Sequence, residues 1–508
     1  MDQKLALEIL LAGESALLTG PAGTGKTFVL NQFIRLSKAD GKHVSVTATT
    51  GLAATHLGGT TIHSWSGIGV MDSLPQGFAD HLSKGRREII EKTDVLIIDE
   101  ISMLHDYRLD MIDEVCRLVR RKDMPFGGIQ IVMSGDFFQL PPINRDDSRS
   151  GGFVVGSEVW RELDPVILYL NEQFRQDDDE LLDILTALRA GDIRRHHAEK
   201  LLARADVEHA EDIEMTELHT VNVDVDRINQ AKLNNLDGDE LEYSQTTTGS
   251  ANYVESLQRS VLSPNPLVLK QGALVMAVKN SQDKKYANGS IGRVIDFEPG
   301  TEYPIVEFHS GKVVTMTPDT WELRDGDKKR ASITQIPLRL AWAITVHKSQ
   351  GMTLDAARMD LRKAFVEGMG YVALSRVKNL SNLYLMGLNN MALRISEDAK
   401  NIDVDLRNRA LEATKKFAHL EAQANERDLK PSAKMKAKSG SASWSEKIAK
   451  MRETYPNAYK PWLPADDNTL KQDFQNGASL KKLSKKLGRH EGSVTMRLQK
   501  HFGEDTVQ

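Results

Sequence analysis

Eight residues near the start of the chain, Gly20-Pro21-Ala22-Gly23-Thr24-Gly25-Lys26-Thr27, have the types and spacing of a phosphate-binding loop. Gly20, Gly23 and Gly25, with Thr24 between them, let consecutive backbone N–H groups curl around phosphate oxygens, and the following helix N-terminus adds partial positive charge. Lys26 supplies a point charge near the β and γ phosphates, and the Thr27 hydroxyl is placed to hold Mg²⁺. A second signal is Val95-Leu96-Ile97-Ile98-Asp99-Glu100, an apolar run that ends in two carboxylates. At the C-terminal edge of a strand they face a bound triphosphate, Asp99 holding the metal through its hydration shell and Glu100 polarising the attacking water. Binding of ATP or GTP with hydrolysis follows from these residues; what the energy drives does not.

The surrounding pattern supplies the elements such a site needs. Ala16–Thr19, Val44–Ala48, Val95–Ile98 and Ile129–Ser134 are short apolar runs of the kind that form buried parallel strands. Leu30, Phe33 and Ile34 recur at helical spacing between the first two, so a βαβ unit brackets the loop. Residues 1–165 are thus expected to form one α/β domain. A second is expected over 166–268 and 332–395, with a helix whose apolar face is Leu181, Leu182, Leu185 and Leu188. Turn signals at Asn288-Gly289, Pro299-Gly300 and Ser310-Gly311 predict a small β-barrel inserted at 269–331. Residues 396–455 are expected to be a helical and basic linker, its stretch 430–450 carrying six lysines against Glu446. Residues 456–508 should form a three-helix unit.

Composition bounds the function classes. The 508 residues carry 66 Lys and Arg against 71 Asp and Glu, a net charge of −5, which excludes a uniformly basic nucleic-acid coat but not a local groove. A hydrophobic fraction of 40% and a charged fraction of 27% exclude fibrous, disordered and disulfide-rich classes. The single cysteine, Cys116, falls in the stripe Ile112, Val115, Cys116, Val119, so its expected role is packing in a reducing compartment. No apolar run approaches the ~20 residues of a membrane span and Met1 opens no signal-like segment. The expected location is therefore cytoplasmic, or nucleoid-associated in a prokaryote, with no membrane partner.

Beyond the loop and the Asp99-Glu100-Ile101-Ser102-Met103 block, the strings TATTGLAATHLGGTTIHS at 47–64, GDFFQLPP at 135–142, LNEQFRQ at 170–176, TVHKSQGMT at 345–353 and YVALSR at 371–376 stand in the order found in superfamily I helicases. The chain resembles the Pif-type and RecD-like branch over about residues 1–390. The resemblance implies an α/β fold of two RecA-like P-loop domains gripping ATP and Mg²⁺ in their cleft, with single-stranded DNA across both. It implies 5′→3′ movement by a monomeric motor on single-stranded and forked duplex DNA. Carried over residue by residue, Gln3 reads the adenine edge, Gln139 senses the γ-phosphate, Gly351 belongs to the nucleotide site, and Arg175 and Arg376 reach across from the second domain. An arginine so placed contributes about 10³ to 10⁵ in rate. The DNA contacts implied are Thr49, His63 and Ser64 on the first domain and His347, Lys348 and Ser349 on the second. Trp65 and Phe138 are expected to stack on bases. The family also places a strand-separating pin near 66–87, and the insert resembles the RecD-like barrel, with Lys279, Lys284, Lys285 and Arg293 as guides for the strand.

The segment from Trp462 to Phe502 resembles a helix-turn-helix module of the Myb-like kind. Leu480, Leu483 and Leu487 mark its second helix, while Val494 and Leu498 turn one face of the third inward and leave Ser493, Arg497 and Lys500 for DNA. Such bundles also bind protein partners. Two other functions compete with the helicase: an ATP-switched DNA-binding regulator that does not unwind, and a motor acting on RNA. The paired DNA-contact blocks inside the ATPase argue against the regulator, which needs none.

Overall fold

The computed structural model describes residues 1–427 except 70, 145–148, 173–177, 206, 208–214, 259–260, 280, 282–284, 287–288, 310, 326–327, 353 and 355, and describes 453–457, 462 and 464–502. The first lobe is a parallel six-stranded sheet in the order β3-β2-β4-β5-β1-β6. Its strands are β1 (Ala16–Thr19), β2 (Val44–Ala48), β3 (Thr60–Thr61), β4 (Val95–Asp99), β5 (Gln130–Ser134) and β6 (Val166–Tyr169). The apolar runs are continuous because helices cover both faces. Leu17, Leu96, Ile98, Ile131, Met133 and Ile167 point into one core, while Ala16, Leu18, Val95, Ile97, Val132 and Leu168 point into the other. Cys116 is fully buried in the Asp106–Arg120 helix with Ile112, Val115 and Val119.

The second lobe is a parallel sheet in the order β18-β7-β19-β20, built from β7 (Thr216–His219), β18 (Ala343–Thr345), β19 (Ala357–Leu361) and β20 (Leu383–Leu388). Strands β8 (Leu241–Tyr243) to β17 (Leu338–Leu340) interrupt it. Two α/β lobes with a β insert are therefore present, but three expected boundaries move. Strand β6 pairs along its length with β1, so 166–169 completes the first sheet instead of opening the second domain. The insert begins near Leu241, not 269, because β9 (Thr246–Gly249) pairs with β16 (Lys328–Gln335). In place of one closed barrel, β11 (Leu274–Ala277), β12 (Ile291–Phe297), β13 (Pro304–Phe308) and β14 (Val313–Thr315) join β17 in an open five-stranded sheet, β14-β13-β12-β11-β17, and β15 (Asp319–Asp325) joins a separate three-stranded sheet, β15-β16-β9. The long β15–β16 hairpin takes β9 as its third strand and draws these three away from the others. The expected pin region holds a short helix, Phe78–His81, and the start of the Lys84–Lys92 helix, with no strand among its described residues.

The third boundary is at the expected linker. Helices Glu397–Lys416 and Glu421–Glu426 return to the first lobe, where Phe417 and Ala424 close its second core. Arg427 pairs with Glu8, a carboxylate only 2% exposed, and Arg409 reaches Asp164 at 2.6 Å. The basic stretch 430–450 lies outside the described residues. Among the described residues no helix is long and apolar enough to cross a membrane. Because Phe417 is 5% exposed in a closed core, Phe417→Ala should cost about 3 to 5 kcal/mol of stability. Chemical denaturation of the full chain checks this, and a loss under about 1 kcal/mol would show that the returning helices do not seal the lobe.

Candidate active site and nucleic-acid interface

The phosphate loop runs from the end of β1 into the Lys26–Ala39 helix, the placement its glycines predict. Gly20 has φ +137, and a Cβ there would lie 2.4 Å from the Leu170 carbonyl oxygen, so no other residue fits. Gly23 and Gly25 also take left-handed φ values, 92 and 83. Lys26 Nζ donates to the Gly20 and Pro21 carbonyls at 2.8 and 3.0 Å, which seats its charge over the loop. The Thr24 hydroxyl donates to the Pro21 carbonyl at 2.9 Å, and Thr27 is exposed in the first turn of the helix. Gln3 donates its amide to the Thr24 carbonyl at 3.0 Å and so stands beside the loop although it is 21 residues away in sequence.

Strand β4 delivers Asp99 and Glu100 to the floor of the cleft, with Glu100 in a left-handed conformation, φ 55. Thr49 ties down this turn, its N–H donating to the Asp99 carbonyl and its hydroxyl to the Glu100 carbonyl at 2.9 Å. Burial raises the Asp99 pKa, against the opposing charge of Lys26. Burial and the Asp99 charge push Glu100 up to about 7, opposed by Lys26, by Arg376 and by the Gln350 amide. Two adjacent carboxylates so short of positive charge favour a cation. The Thr27 hydroxyl and the Asp99 carboxylate are hard oxygen donors of the kind Mg²⁺ takes, so the residues present fit that ion.

The second lobe reaches the same carboxylate. Gln350 Nε2 donates to Glu100 Oε2 at 2.9 Å. Gly351 follows in the left-handed region, with φ 79. Arg376 is 1% exposed and lies close enough to Glu100 to oppose its rise. Its fork is set by donation from Nε to the Val372 carbonyl, from Nη1 to the Ser349 and Met352 carbonyls, and from Nη2 to the Ser375 hydroxyl. Gln139 and Gln350 each bury an amide oxygen that has no hydrogen-bond partner. The lobes meet backbone to backbone at Gly368, where a Cβ would lie 2.6 Å from the Gln139 carbonyl oxygen.

Behind the loop is a polar hub that sequence reasoning missed. Tyr371 Oη, from the second lobe, accepts the Ala22 N–H at 3.1 Å and donates to Asp136 at 3.1 Å. Arg189 Nη1 donates to both Asp136 oxygens at 2.7 and 2.8 Å and to Tyr371 Oη at 3.1 Å. Its other arm reaches Tyr169 Oη, which donates to Asp403 at 2.7 Å. One visible signal was Arg189 itself, which occupies the next position of the apolar stripe Leu181, Ile184, Leu185, Leu188 and is buried with it.

The DNA-contact expectations divide. His63, Ser64, His347 and Lys348 are half-buried, at the ends of β3 and β18. Arg108 donates to His63 Nε2 at 3.2 Å, so the imidazole proton sits on Nδ1; burial, then the Arg108 charge, lower the His63 pKa to about 4. His63 is therefore a neutral donor. Burial also lowers the pKa of His347 and of Lys348, whose Nζ donates to Asn222 at 3.4 Å. Several expectations are corrected. Thr49 is 9% exposed and spends its hydroxyl on the Glu100 turn. Ser349 is fully buried and donates to the Val346 carbonyl. Trp65 is packed in the core at 7% exposure, and Phe138, at 4%, has its face covered by Arg189 at 4.0 Å. Phe365 takes the open position instead: it is 58% exposed and stacks on His347, ring centroids 6.0 Å apart. Among the expected insert cations, Lys279 is held by Asp319 at 2.6 Å and Arg293 donates to the Gly272 carbonyl, whereas Lys285 is exposed. Arg497 is turned inward onto Asp467. Arg175 and Lys284 lie outside the described residues, as does the Lys500 side chain.

Two outcomes follow from this geometry. Tyr371→Phe should keep the fold, because it deletes one oxygen, and should lower steady-state turnover about tenfold with the ATP KM within about threefold. Equal turnover in the two proteins would detach the hub from the chemistry. His63 should titrate near 4 by imidazole NMR. Since the unfolded chain takes up that proton first, from about 6.5 downward, the folded state loses stability as pH falls from about 6.5 to about 4. A His63 titration at 6.5 would remove Arg108 and burial as its controls.

Comparisons with known proteins agree with this arrangement. The PIF1-like helicase family model matches residues 3–197. The ATP-dependent DNA helicase Pif1 of Psychrobacter sp. (strain PRwf-1) is 37% identical, the match covering 98% of this chain and 82% of that protein. The ATP-dependent DNA helicase PIF1 of Xenopus laevis is 36% identical over 77% of this chain, which spans 62% of its length. Among solved structures, the Pif1 helicase of Candida albicans superposes with a TM-score of 0.72 at 34% identity, covering 80% of this chain and 98% of that one. The Pif1 helicase from Bacteroides in complex with ADP-AlF3 and single-stranded DNA gives 0.62 at 31% identity, covering 82% and 96%.

Proposed function

The chain belongs to the PIF1-like helicase family and is an ATP-dependent DNA helicase, and we propose that it moves 5′→3′ along single-stranded DNA by closing its two lobes on ATP and reopening them after hydrolysis. On this reading the loop N–H groups and Lys26 hold the β and γ phosphates, and Gln3 meets the adenine edge from its seat on Thr24. Thr27 and Asp99 hold Mg²⁺, which when bound neutralises charge on the phosphate oxygens. Glu100 polarises the attacking water, and the side chains of Gln139 and Gln350, each with an unpartnered amide oxygen, orient it and read the γ-phosphate. Arg376, and by family resemblance Arg175, stabilise the transferred charge from the second lobe, with Arg376 aimed by its own lobe's backbone.

The observation that carries the coupling is the Gln350 to Glu100 bond at 2.9 Å. Gln350 follows His347 and Lys348 by three and two residues on the same turn, so a displacement of the amide at the nucleotide moves the DNA contacts with it. His63 and Ser64 grip the strand from the first lobe, and Phe365 beside His347 offers a face to any base, worth about 1 to 3 kcal/mol. The Bacteroides relative, crystallised with ADP-AlF3 and single-stranded DNA, supports nucleotide and strand bound together.

Gln350→Ala should leave DNA affinity without nucleotide unchanged and lower DNA-stimulated turnover about 100-fold. Lys26→Ala should abolish hydrolysis and still bind DNA. Forks with 5′ tails should be unwound and forks with 3′ tails should not. ATPase activity indifferent to single-stranded DNA would favour an ATP-timed binding protein, and unwinding from 3′ tails alone would reverse the polarity.

A further inference from the structure

The C-terminal helices Pro464–Gln475, Leu480–Leu487 and Glu491–Phe502 share a small core of Trp462, Leu470, Leu483, Leu487, Val494 and Leu498, separate from those of the motor. The acids of the first helix are consumed inside this unit. Asp467 takes Arg497 at 2.7 and 2.5 Å, Asp466 pairs with Arg489 at 3.1 Å, and Asp473 pairs with Lys486 at 2.5 Å. Arg489 and Arg497 also lie over the Trp462 ring, 4.3 and 5.5 Å from its centroid. Arg497 of the third helix and Arg489 just before it are therefore both turned inward, away from a ligand. On one face of the middle helix Lys481, Lys482 and Lys485 are all exposed and have no carboxylate partner among the described residues. Their i, i+1, i+4 spacing gathers the three ammonium groups within about 100° of the helix surface.

We propose that this lysine face docks the phosphate backbone of duplex DNA, the unseparated arm ahead of the motor, without reading its sequence. Three points select that partner. Single strands are held by aromatic platforms in a groove, and the only tryptophan here is 7% exposed beneath two arginines. Protein interfaces centre on apolar or aromatic anchors and are depleted in lysine, whereas this face is lysine without an anchor. Duplex backbone asks only for positive charge on an exposed surface, which these three lysines present. The proposal rests on the helicase reading only in taking DNA as the substrate.

The test uses the full chain with Lys481, Lys482 and Lys485 all changed to Ala, and a matched set changed to Arg. Affinity for a blunt duplex and for an unstructured single strand is measured without nucleotide over a salt series, with DNA-stimulated ATPase in parallel. The Ala protein should show a duplex log affinity against log salt that is shallower by about 2.7, from about 0.9 per lost phosphate contact. The Arg protein should retain the original slope, and single-strand affinity and ATPase should be unchanged in both. An unchanged duplex slope overturns the proposal, as does an equal loss on single-stranded DNA, which would place the lysines on the motor's own track. Selective loss of binding to polyglutamate with the duplex slope intact assigns the face to an acidic protein and also overturns it. Failure of the helicase reading would instead appear as ATPase that no DNA stimulates in the unaltered chain.

Discussion

Asp99 and Glu100 put two carboxylates side by side on the floor of a cleft, and the rest of the machine is arranged around that unfavourable pair. Burial drives both pKa values upward, and the Asp99 charge adds to the rise of Glu100, which reaches about 7. The first lobe answers with the Ser134 hydroxyl and the Glu100 N–H at Asp99, and with the Lys26 charge. The second lobe supplies the Arg376 charge and the Gln350 amide, so the charge deficit is met only when groups from both lobes converge. A ligand that brings its own negative phosphates and a cation re-balances the site, and this gives each nucleotide state a different preference for closure. Coulombic forces in a half-buried cleft are strong enough for that purpose and are weakly screened by salt.

The hub formed by Tyr371, Asp136 and Arg189 turns this local preference into motion of whole elements. Its members come from the second lobe, the loop after β5 and the Asp179–Ala190 helix, and through Tyr169 and Asp403 it reaches the helix that seals the back of the first lobe. The Tyr371 hydroxyl has each capacity filled: it accepts from Ala22 and Arg189 and donates to Asp136. A buried network is an asset only when satisfied in this way, since removing one partner leaves another stranded. The hub takes the phosphate loop at the Ala22 N–H, while Lys26 holds the adjacent Gly20 and Pro21 carbonyls.

Local signals in the chain were legible, and those that depend on packing were not. The phosphate loop, β4 with its terminal acids and the stripe around Cys116 all follow from short-range spacing, and each stands where that spacing puts it. Family resemblance suggested that Phe138, Trp65 and Ser349 face DNA, and helical spacing suggested it for Arg497. Each instead meets a partner distant in sequence or in its own helix: Arg189 over Phe138, the core around Trp65, the Val346 carbonyl for Ser349 and Asp467 for Arg497. Strand β6 was assigned to the wrong lobe because an apolar run does not say which sheet it joins. The return of Phe417 and Ala424 was hidden for the same reason, as their partners lie about four hundred residues upstream.

The central claim is that nucleotide chemistry changes the separation of the two lobes. It is most directly tested by pulsed EPR between spin labels at Ile89→Cys on the first lobe and Val223→Cys on the second, both exposed sites. The native Cys116 is fully buried with its thiol pKa pushed up, which keeps it from taking a label. With single-stranded DNA present, the distance distribution should differ between a non-hydrolysable ATP analogue and ADP. Gln350→Ala should shrink that difference. One distribution common to both nucleotides and to the nucleotide-free protein would contradict the account.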